Sequence, residues 1–173
     1  MTRYIGIDYS TTSCGIAIAD GTTWDTVTVK SSTKGVTLGD YYDRIEEHAR
    51  HIITAARITA LDVVGIEGIA FAGRGRSVDR LHYAWHRTVE ALIRVLEVDP
   101  LIVTTNQVKQ LATGKGNAQK DDVLLAAERR IPEAGVAGND EADAVWIAVG
   151  ASVLAGEPVV SLPATHIPKG FRR

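Results

Sequence analysis

The sequence predicts an α/β protein in which a mixed five-stranded sheet carries helices on both faces, in three layers. Short apolar runs typical of strands fill residues 4–30. Two later runs, "LDVVGIEGIAF" and "PLIVTTN", alternate with segments whose apolar residues recur every three to four positions, as in helices. The first of these runs is apolar enough to be covered on both faces, as in layered α/β proteins. The resulting order, β-β-β-α-β-α-β-α-α, places the sheet between two helical layers.

The first part of the chain predicts an antiparallel meander of three strands. "YIGIDYS" and "CGIAIAD" are apolar runs separated by "TTS", and "DGTTW" leads into a third run, "DTVTVK". Turn-forming residues between β-rich runs are typical of hairpins. Residues 31–40 contain Ser, Gly and Asp and predict a loop. The meander therefore ends before the first helix.

The remaining elements alternate helices with strands. Apolar residues recur at helical spacing over residues 41–57, with Asp40 as the expected N-cap. A second helix is expected over residues 78–97. After the fifth strand we expect a helical turn, a glycine-containing loop and a helix with Asn117 as its N-cap. The last helix, "NDEADAVWIAVGASVLAG", ends at a glycine, and a tail containing proline follows it.

Length and composition predict one domain in a reducing compartment. The chain has 173 residues, of which 45% are apolar and 23% charged, enough for one full core. The single cysteine, Cys14, cannot form an internal disulfide and favours a cytoplasmic location. No run approaches the roughly 20 apolar residues of a membrane span, and no signal-peptide pattern opens the chain. We therefore expect no membrane partner. The net charge of −2 neither indicates nor excludes nucleic acid.

Two acids interrupt strands that are otherwise apolar. Asp8 lies within the first predicted strand and Glu67 within the fourth. A buried carboxylate needs a partner, a proton or a metal ion, because leaving it charged and unpaired costs free energy. One such acid is explained by a core ion pair, but two on strands that can lie side by side suggest a shared site.

Two further acids begin the last helix. Asp140 and Asp143 stand three residues apart, so their carboxylates project from the same face. One interpretation is that both are solvated acids that complement the helix dipole. With Asp8 and Glu67 they instead make a set of four carboxylates, whose repulsion is relieved by hard cations such as Mg²⁺ or Mn²⁺. A pair of such ions is the usual device for attack on a phosphodiester, so the set predicts a nuclease.

Four segments carry a resemblance to a known family: "GIDYSTTSCGIAI", "IEGIAF", "NQVKQLATGKGNAQKDDV" and "DEADAVWIAV". In this order, over residues 4 to about 150, they resemble the RuvC-type Holliday junction resolvases of the RNase H-like superfamily. The most specific segment is "QVKQLATGKGNAQK", followed by DxxDA. The resemblance implies an RNase H-like nuclease domain over residues 1–156. A basic C-terminal tail over residues 157–173 is assigned no role, and its flexibility is left open.

The resemblance also implies the chemistry and the partners. The expected catalytic and metal-binding residues are Asp8, Glu67, Asp140 and Asp143. The expected cofactors are two Mg²⁺ ions per active site, with Mn²⁺ as the other candidate. The implied protein is a homodimer that cuts two strands of a four-way DNA junction symmetrically and leaves ligatable nicks with 5′-phosphates. Nothing in the sequence identifies a branch-migration motor as a partner.

Basic and aromatic residues complete the predicted DNA interface. Lys109 and Lys120 flank the "TGKG" turn, which in the family approaches the scissile backbone, and Lys115 within the turn adds a phosphate contact. A second group follows the Glu67 strand, where the family has a loop that enters the junction: Arg74, Arg76 and Phe71. The aromatic ring there suits stacking on an unpaired base, although it is displaced by one position from the family pattern.

Three alternatives remain open at this point. A nuclease of the same fold with another substrate, such as flaps, forks or RNA/DNA hybrids, has the same four acids. A DNA-binding relative without catalytic activity is the second alternative, and the intact acids count against it. "GIDYSTTSCG" also resembles the phosphate loop of actin-like ATPases and sugar kinases, but those proteins need two such domains and about twice this length.

Overall fold

The structure is a computed structural model that describes residues 2–32, 37–69 and 76–171. Its described part contains one five-stranded sheet in the order β3-β2-β1-β4-β5. The strand bounds are β1 Arg3–Asp8, β2 Ser13–Asp20, β3 Thr23–Lys30, β4 Val63–Gly68 and β5 Leu101–Thr104. Strands β1, β2 and β3 form the predicted antiparallel meander, whereas β4 and β5 add to it in parallel, so the sheet is mixed.

Five α-helices cover the sheet in the described part of the chain. Their bounds are α1 Leu38–Ala56, α2 Arg76–Leu96, α3 Thr105–Thr113, α4 Lys120–Arg130 and α5 Asn139–Ala155. Helices α1 and α2 pack on one face, and α3, α4 and α5 pack on the other. The predicted α/β class and the three layers are confirmed. Over the described ranges, no helix has both the length and the apolar character needed to cross a membrane.

Two helices have N-cap residues other than those that the sequence analysis predicts. Helix α1 is capped by Thr37, whose hydroxyl accepts the backbone N–H of Asp40 at 3.1 Å, while the Asp40 carboxylate accepts the Thr37 N–H at 2.9 Å. This is a capping box, in which the acid stands three residues after the cap. Helix α4 has Gln119 at its N-cap instead of Asn117, and the Asp122 carboxylate accepts the Gln119 N–H at 3.1 Å. In both helices the acid fills the third helical position.

The two helical layers enclose two apolar clusters, one on each face of the sheet. Trp85 of α2 and Trp146 of α5 are buried in these clusters. Each indole N–H group also donates a hydrogen bond to a backbone carbonyl of a neighbouring element. Trp85 donates to the backbone carbonyl of Glu67 at 2.8 Å, and Trp146 donates to that of Val123 at 3.3 Å. The first of these bonds ties α2 to the end of β4.

Helix α5 lies directly against the sheet because glycines replace side chains where it crosses. A Cβ atom on Gly6 of β1 would lie 2.0 Å from the Ala144 carbonyl oxygen and 2.4 Å from the Ala148 nitrogen. A Cβ atom on Gly15 of β2 would lie 2.0 Å from the Asp140 carbonyl oxygen. Both distances are far below van der Waals contact, so no side chain fits there. The two glycines therefore fix how close α5 comes to the strands.

The segment after α5 packs against the helical layer of α3 and α4. His166 and Phe171 are both buried. The His166 Nδ1–H group donates to the Leu111 carbonyl at the end of α3, at 2.8 Å. Its Nε2 atom faces the Arg130 guanidinium at 3.5 Å. This part of the tail is thus attached to both helices.

We expect Gly6→Ala to destabilise the protein, because α5 must move away from β1 to admit the methyl group. Overpacking of this kind costs about 1–3 kcal/mol of unfolding free energy, and sometimes more. Urea titration measures the loss. Gly138→Ala is the matched control, since a Cβ atom there meets nothing within 4 Å. Equal urea midpoints for the two variants would contradict the close contact of α5 with the sheet.

Candidate active site

Asp8 and Glu67 lie side by side at one end of the sheet. Strands β1 and β4 run parallel, and Ile7 pairs with Ile66, so the next residue of each strand is Asp8 and Glu67. Residues two apart on a strand share a face, and Gly6, which contacts α5, stands two residues before Asp8. Both carboxylates therefore lie on the face of the sheet that α5 covers, near the N-terminal end of α5.

Helix α5 brings the second pair of acids to the same place. The Asp140 backbone lies against Gly15, which pairs with Asp8 across β1 and β2. Asp143 stands four residues before Ile147, whose side chain contacts β4. Residues four apart share a helix face, so Asp143 lies on the Glu67 side of the group. The structure thus gathers all four predicted acids, each of them half-buried, around the ends of β1 and β4.

Their proximity changes the acidity of two members. Burial, together with the charge of Glu67 and a hydrogen bond to it, raises the pKa of Asp8 to about 9. Burial and the charge of Glu67 raise the pKa of Asp143 to about 6, although Lys120 and Lys109 oppose this shift. At neutral pH, without a cation, Asp8 therefore keeps a proton. Positive charge is what this group of carboxylates lacks.

Two hydroxyl groups hold the other two acids, and the sequence analysis did not find them. The Ser13 hydroxyl donates to Asp140 Oδ2 at 2.9 Å, and the Thr105 hydroxyl donates to Glu67 Oε1 at 2.7 Å. Ser13 opens β2 and Thr105 follows β5, so both stand at the end of the sheet that carries the acids. Their positions at strand ends are visible in the sequence, but the acid that each hydroxyl contacts is set by the tertiary fold.

The donor set fits a hard divalent cation in its chemistry. All four groups are carboxylates, the oxygen ligands that Mg²⁺ and Mn²⁺ prefer. The proton held on Asp8 takes the place of part of the positive charge that such an ion would bring. As the side chains stand, no three Asp, Glu, His or Cys groups among the described residues are arranged to hold one ion. Binding of one ion by three of these groups therefore requires rotation of at least one side chain, while Ser13 and Thr105 each occupy only one oxygen of the carboxylate they contact.

The predicted basic residues fall into two sets. Lys109 of α3 and Lys120 at the start of α4 act electrostatically on Asp143, so both border the group of acids. Lys115 is exposed in the loop between these helices. Phe71 and Arg74 lie outside the residues that the structure describes. Arg76 begins α2, and its side chain is likewise outside the described part.

A fifth acid, Glu141, lies between Asp140 and Asp143 in the "DEAD" run and has a different environment. Glu141 is buried and points toward β3, where it accepts the Thr28 hydroxyl at 3.0 Å and the Ala137 backbone N–H at 2.7 Å. These bonds fasten the first turn of α5 to the edge strand. Glu141 therefore contributes to the position of its neighbours Asp140 and Asp143 on α5.

The comparisons with known proteins identify the family. Residues 4–151 match the family model described as "Crossover junction endodeoxyribonuclease RuvC". The chain therefore belongs to the RuvC family of crossover junction endodeoxyribonucleases. This membership decides against the actin-like alternative. Nucleases of this family are generally metal-dependent.

Two solved structures share the fold. The RuvC structure from Thermus thermophilus matches with a TM-score of 0.62 and 20% identity, over 91% of this chain and 98% of that one. The same organism's RuvC in complex with a Holliday junction substrate matches with a TM-score of 0.63 and 18% identity, at the same coverage. No curated protein sequence matches the chain significantly.

The raised pKa of Asp8 predicts an unusual pH dependence of stability. In the absence of divalent ions, the unfolded chain loses this proton near pH 4, whereas the folded protein keeps it to about pH 9. The free energy of unfolding should therefore fall as pH rises between these values. Asp8→Asn removes the titrating group and should be more stable than the natural protein at pH 8, by at least about 1 kcal/mol.

Urea titrations from pH 4 to pH 9, in chelator, measure this effect. The difference between Asp8→Asn and the natural protein should shrink toward pH 4. Asp99→Asn is the control, because Asp99 is exposed and precedes β5, at the other end of the sheet. An Asp8→Asn variant that is less stable at pH 8, with an unchanged pH profile, would contradict the assignment.

Proposed function

We propose that this protein resolves four-way DNA junctions by metal-dependent, paired symmetric nicks that leave 5′-phosphates. The observation that carries the proposal is the meeting of Asp8, Glu67, Asp140 and Asp143 at one end of the sheet. Family membership supports the reaction class. The choice of substrate is supported by a shared fold, because a RuvC of this fold has been solved in complex with a Holliday junction substrate.

The four acids are proposed to hold two divalent ions, Mg²⁺ or Mn²⁺. Such a pair of ions, when bound, supplies an activated water and stabilises the leaving oxygen of a phosphodiester. The contribution of the chain is a fixed frame. Asp8 and Glu67 are held by paired strands, and Asp140 and Asp143 by a helix that glycines seat on those strands.

The lysines beside the acids are proposed to orient the DNA. Lys109 and Lys120 already act on Asp143 electrostatically, so a phosphate placed near the acids lies within reach of both cations. Lys115, in the exposed loop between them, adds a backbone contact. Arg74, Arg76 and Phe71 are proposed to contact the junction from the segment that follows β4.

The proposed assembly is a homodimer. A four-way junction has twofold character, and a twofold dimer presents two identical active sites to strands of the same polarity. Paired nicks then follow from symmetry. A cytoplasmic location, expected from the single cysteine, stays a prediction.

We expect Asp8→Asn and Asp143→Asn each to lower Mg²⁺-dependent cleavage of a synthetic four-way junction by at least about 100-fold, as loss of a group that stabilises the transition state does. Junction binding should persist, because removing a carboxylate lowers the repulsion of phosphates. Gel assays of cleavage and of binding measure the two effects. Asp99→Asn is again the control with the same chemical change, and it should cleave normally. Cleavage by either active-site variant at the rate of the control would refute the site.

A substrate panel tests the junction selectivity separately. The natural protein is offered a four-way junction, a flap, a fork, a duplex and an RNA/DNA hybrid at equal concentration. Symmetric cleavage of the junction ahead of all the others is the expected result. Preference for flaps, forks or hybrids would keep the four-acid site but assign it to another substrate.

A further inference from the structure

A groove lies between α4 and the loop that follows α3. Its volume is about 560 Å³, and it runs along the length of the helix. One wall is a single face of α4, on which Asp122, Leu125, Ala126 and Arg129 recur at helical spacing. The opposite wall is formed by the end of α3 and the loop that follows it. We call this feature the α4 groove.

The rim of the α4 groove is basic. Lys115 borders it from the loop, and Arg129 and Arg130 border it from the last turn of α4. All three side chains are exposed. The Asp122 carboxylate also lines the groove, but it accepts the Gln119 backbone N–H and so serves as part of the helix cap. Cations therefore dominate the open part of the groove.

These cations differ from those on the other face of the protein. Within the described ranges, the side-chain ion pairs involve Arg3, His51, Arg87 and Arg94, all on β1, α1 or α2. No cation of α3, α4 or their connecting loop forms an ion pair within the same ranges. Positive charge that is not neutralised within the protein is available for an anionic partner.

The α4 groove and the active site lie on different faces of α4. Lys120, at the first residue of α4, acts on Asp143, whereas Arg129 stands nine residues further along the same helix and lines the groove. Nine residues make about two and a half helical turns, so the two side chains project from opposite faces. The groove is therefore a second cationic surface, separate from the lysines beside the acids.

We propose that the α4 groove binds the phosphate backbone of one arm of the DNA junction, away from the cleaved bond. The inference rests on the proposed function, because it takes the branched DNA substrate from it. Arg129 and Lys115 contact backbone phosphates on this arm and carry no sequence preference. The groove thus adds a phosphate contact outside the active site.

The tail contributes to this groove through Arg130. The His166 ring, fixed by its bond to the Leu111 carbonyl, faces the Arg130 guanidinium. A Cβ atom on Gly114 would lie 3.1 Å from His166 Nε2, so the same ring packs tightly against the start of the connecting loop. The tail therefore contacts both this loop and one rim of the groove.

The test compares Arg129→Gln with Arg94→Gln. Both substitutions remove one exposed cation from the last turn of a helix, but Arg94 lies on α2 and is paired with Glu90. Junction binding is measured from 50 to 300 mM salt. Arg129→Gln should weaken binding roughly fivefold near 150 mM and lower the salt slope by about 0.9, the value of one phosphate contact. Arg94→Gln should leave the slope unchanged.

Modified junctions locate the contact. Three consecutive phosphates are replaced by uncharged methylphosphonates, and this window is moved along an arm away from the crossover. At least one window away from the cut should weaken binding by the natural protein and by Arg94→Gln, but cause no further loss in Arg129→Gln. Lys115→Gln should show the same insensitivity and serves as a second variant. Equal sensitivity of all the proteins at every window would overturn the proposal.

The same experiment separates this inference from the proposed function. If the natural protein cleaves no junction, the proposed function fails, and the salt slopes on a plain duplex then test the groove. A lower slope for Arg129→Gln than for Arg94→Gln on that duplex supports a backbone-binding groove. If Arg129→Gln and Arg94→Gln have identical salt slopes on both the junction and the duplex, the proposed DNA-binding role of the groove is wrong, even if junction cleavage is normal.

Discussion

The contact between helix α5 and the sheet is the constraint on which the active site depends. At Gly6 and Gly15 the helix backbone occupies the space that a Cβ atom would need. This contact fixes the height of α5 above the strands and the position of its first turn. Asp140 is in that first turn and Asp143 stands at the start of the second, so the distance from these acids to Asp8 follows from two residues that carry no side chain.

The same contact has an electrostatic consequence. It holds carboxylates together in a half-buried place, where burial and mutual repulsion raise the pKa values of Asp8 and Asp143. Such an arrangement lowers stability unless a proton or a cation compensates. Because mutual repulsion makes the group of carboxylates unfavourable on its own, the group favours the binding of cations. The rigid sheet and helix keep the acids from moving apart.

Much of this could be predicted from the sequence, because the informative residues break a local pattern. Asp8 and Glu67 are conspicuous as acids in apolar strands, and the spacing of Asp140 and Asp143 places both on one helix face. Glu141, from the same acidic run, could not be assigned, since its role depends on Thr28 of an edge strand over a hundred residues away. The bonds from Ser13 and Thr105 also depend on tertiary contacts. The N-caps were misplaced because several acceptor residues stand close together before α1 and α4.

A crystal structure of the protein soaked in Mn²⁺, with data collected for anomalous scattering, tests the central claim most directly. The account predicts anomalous density between the ends of β1 and β4 and the first turn of α5, with carboxylate oxygens of Asp8 and at least one other of the four acids about 2.0–2.3 Å away. It also predicts that the hydrogen bond between Asp8 and Glu67 is lost when the ion binds. Density confined to other places, with Asp8 still hydrogen-bonded to Glu67, would contradict it.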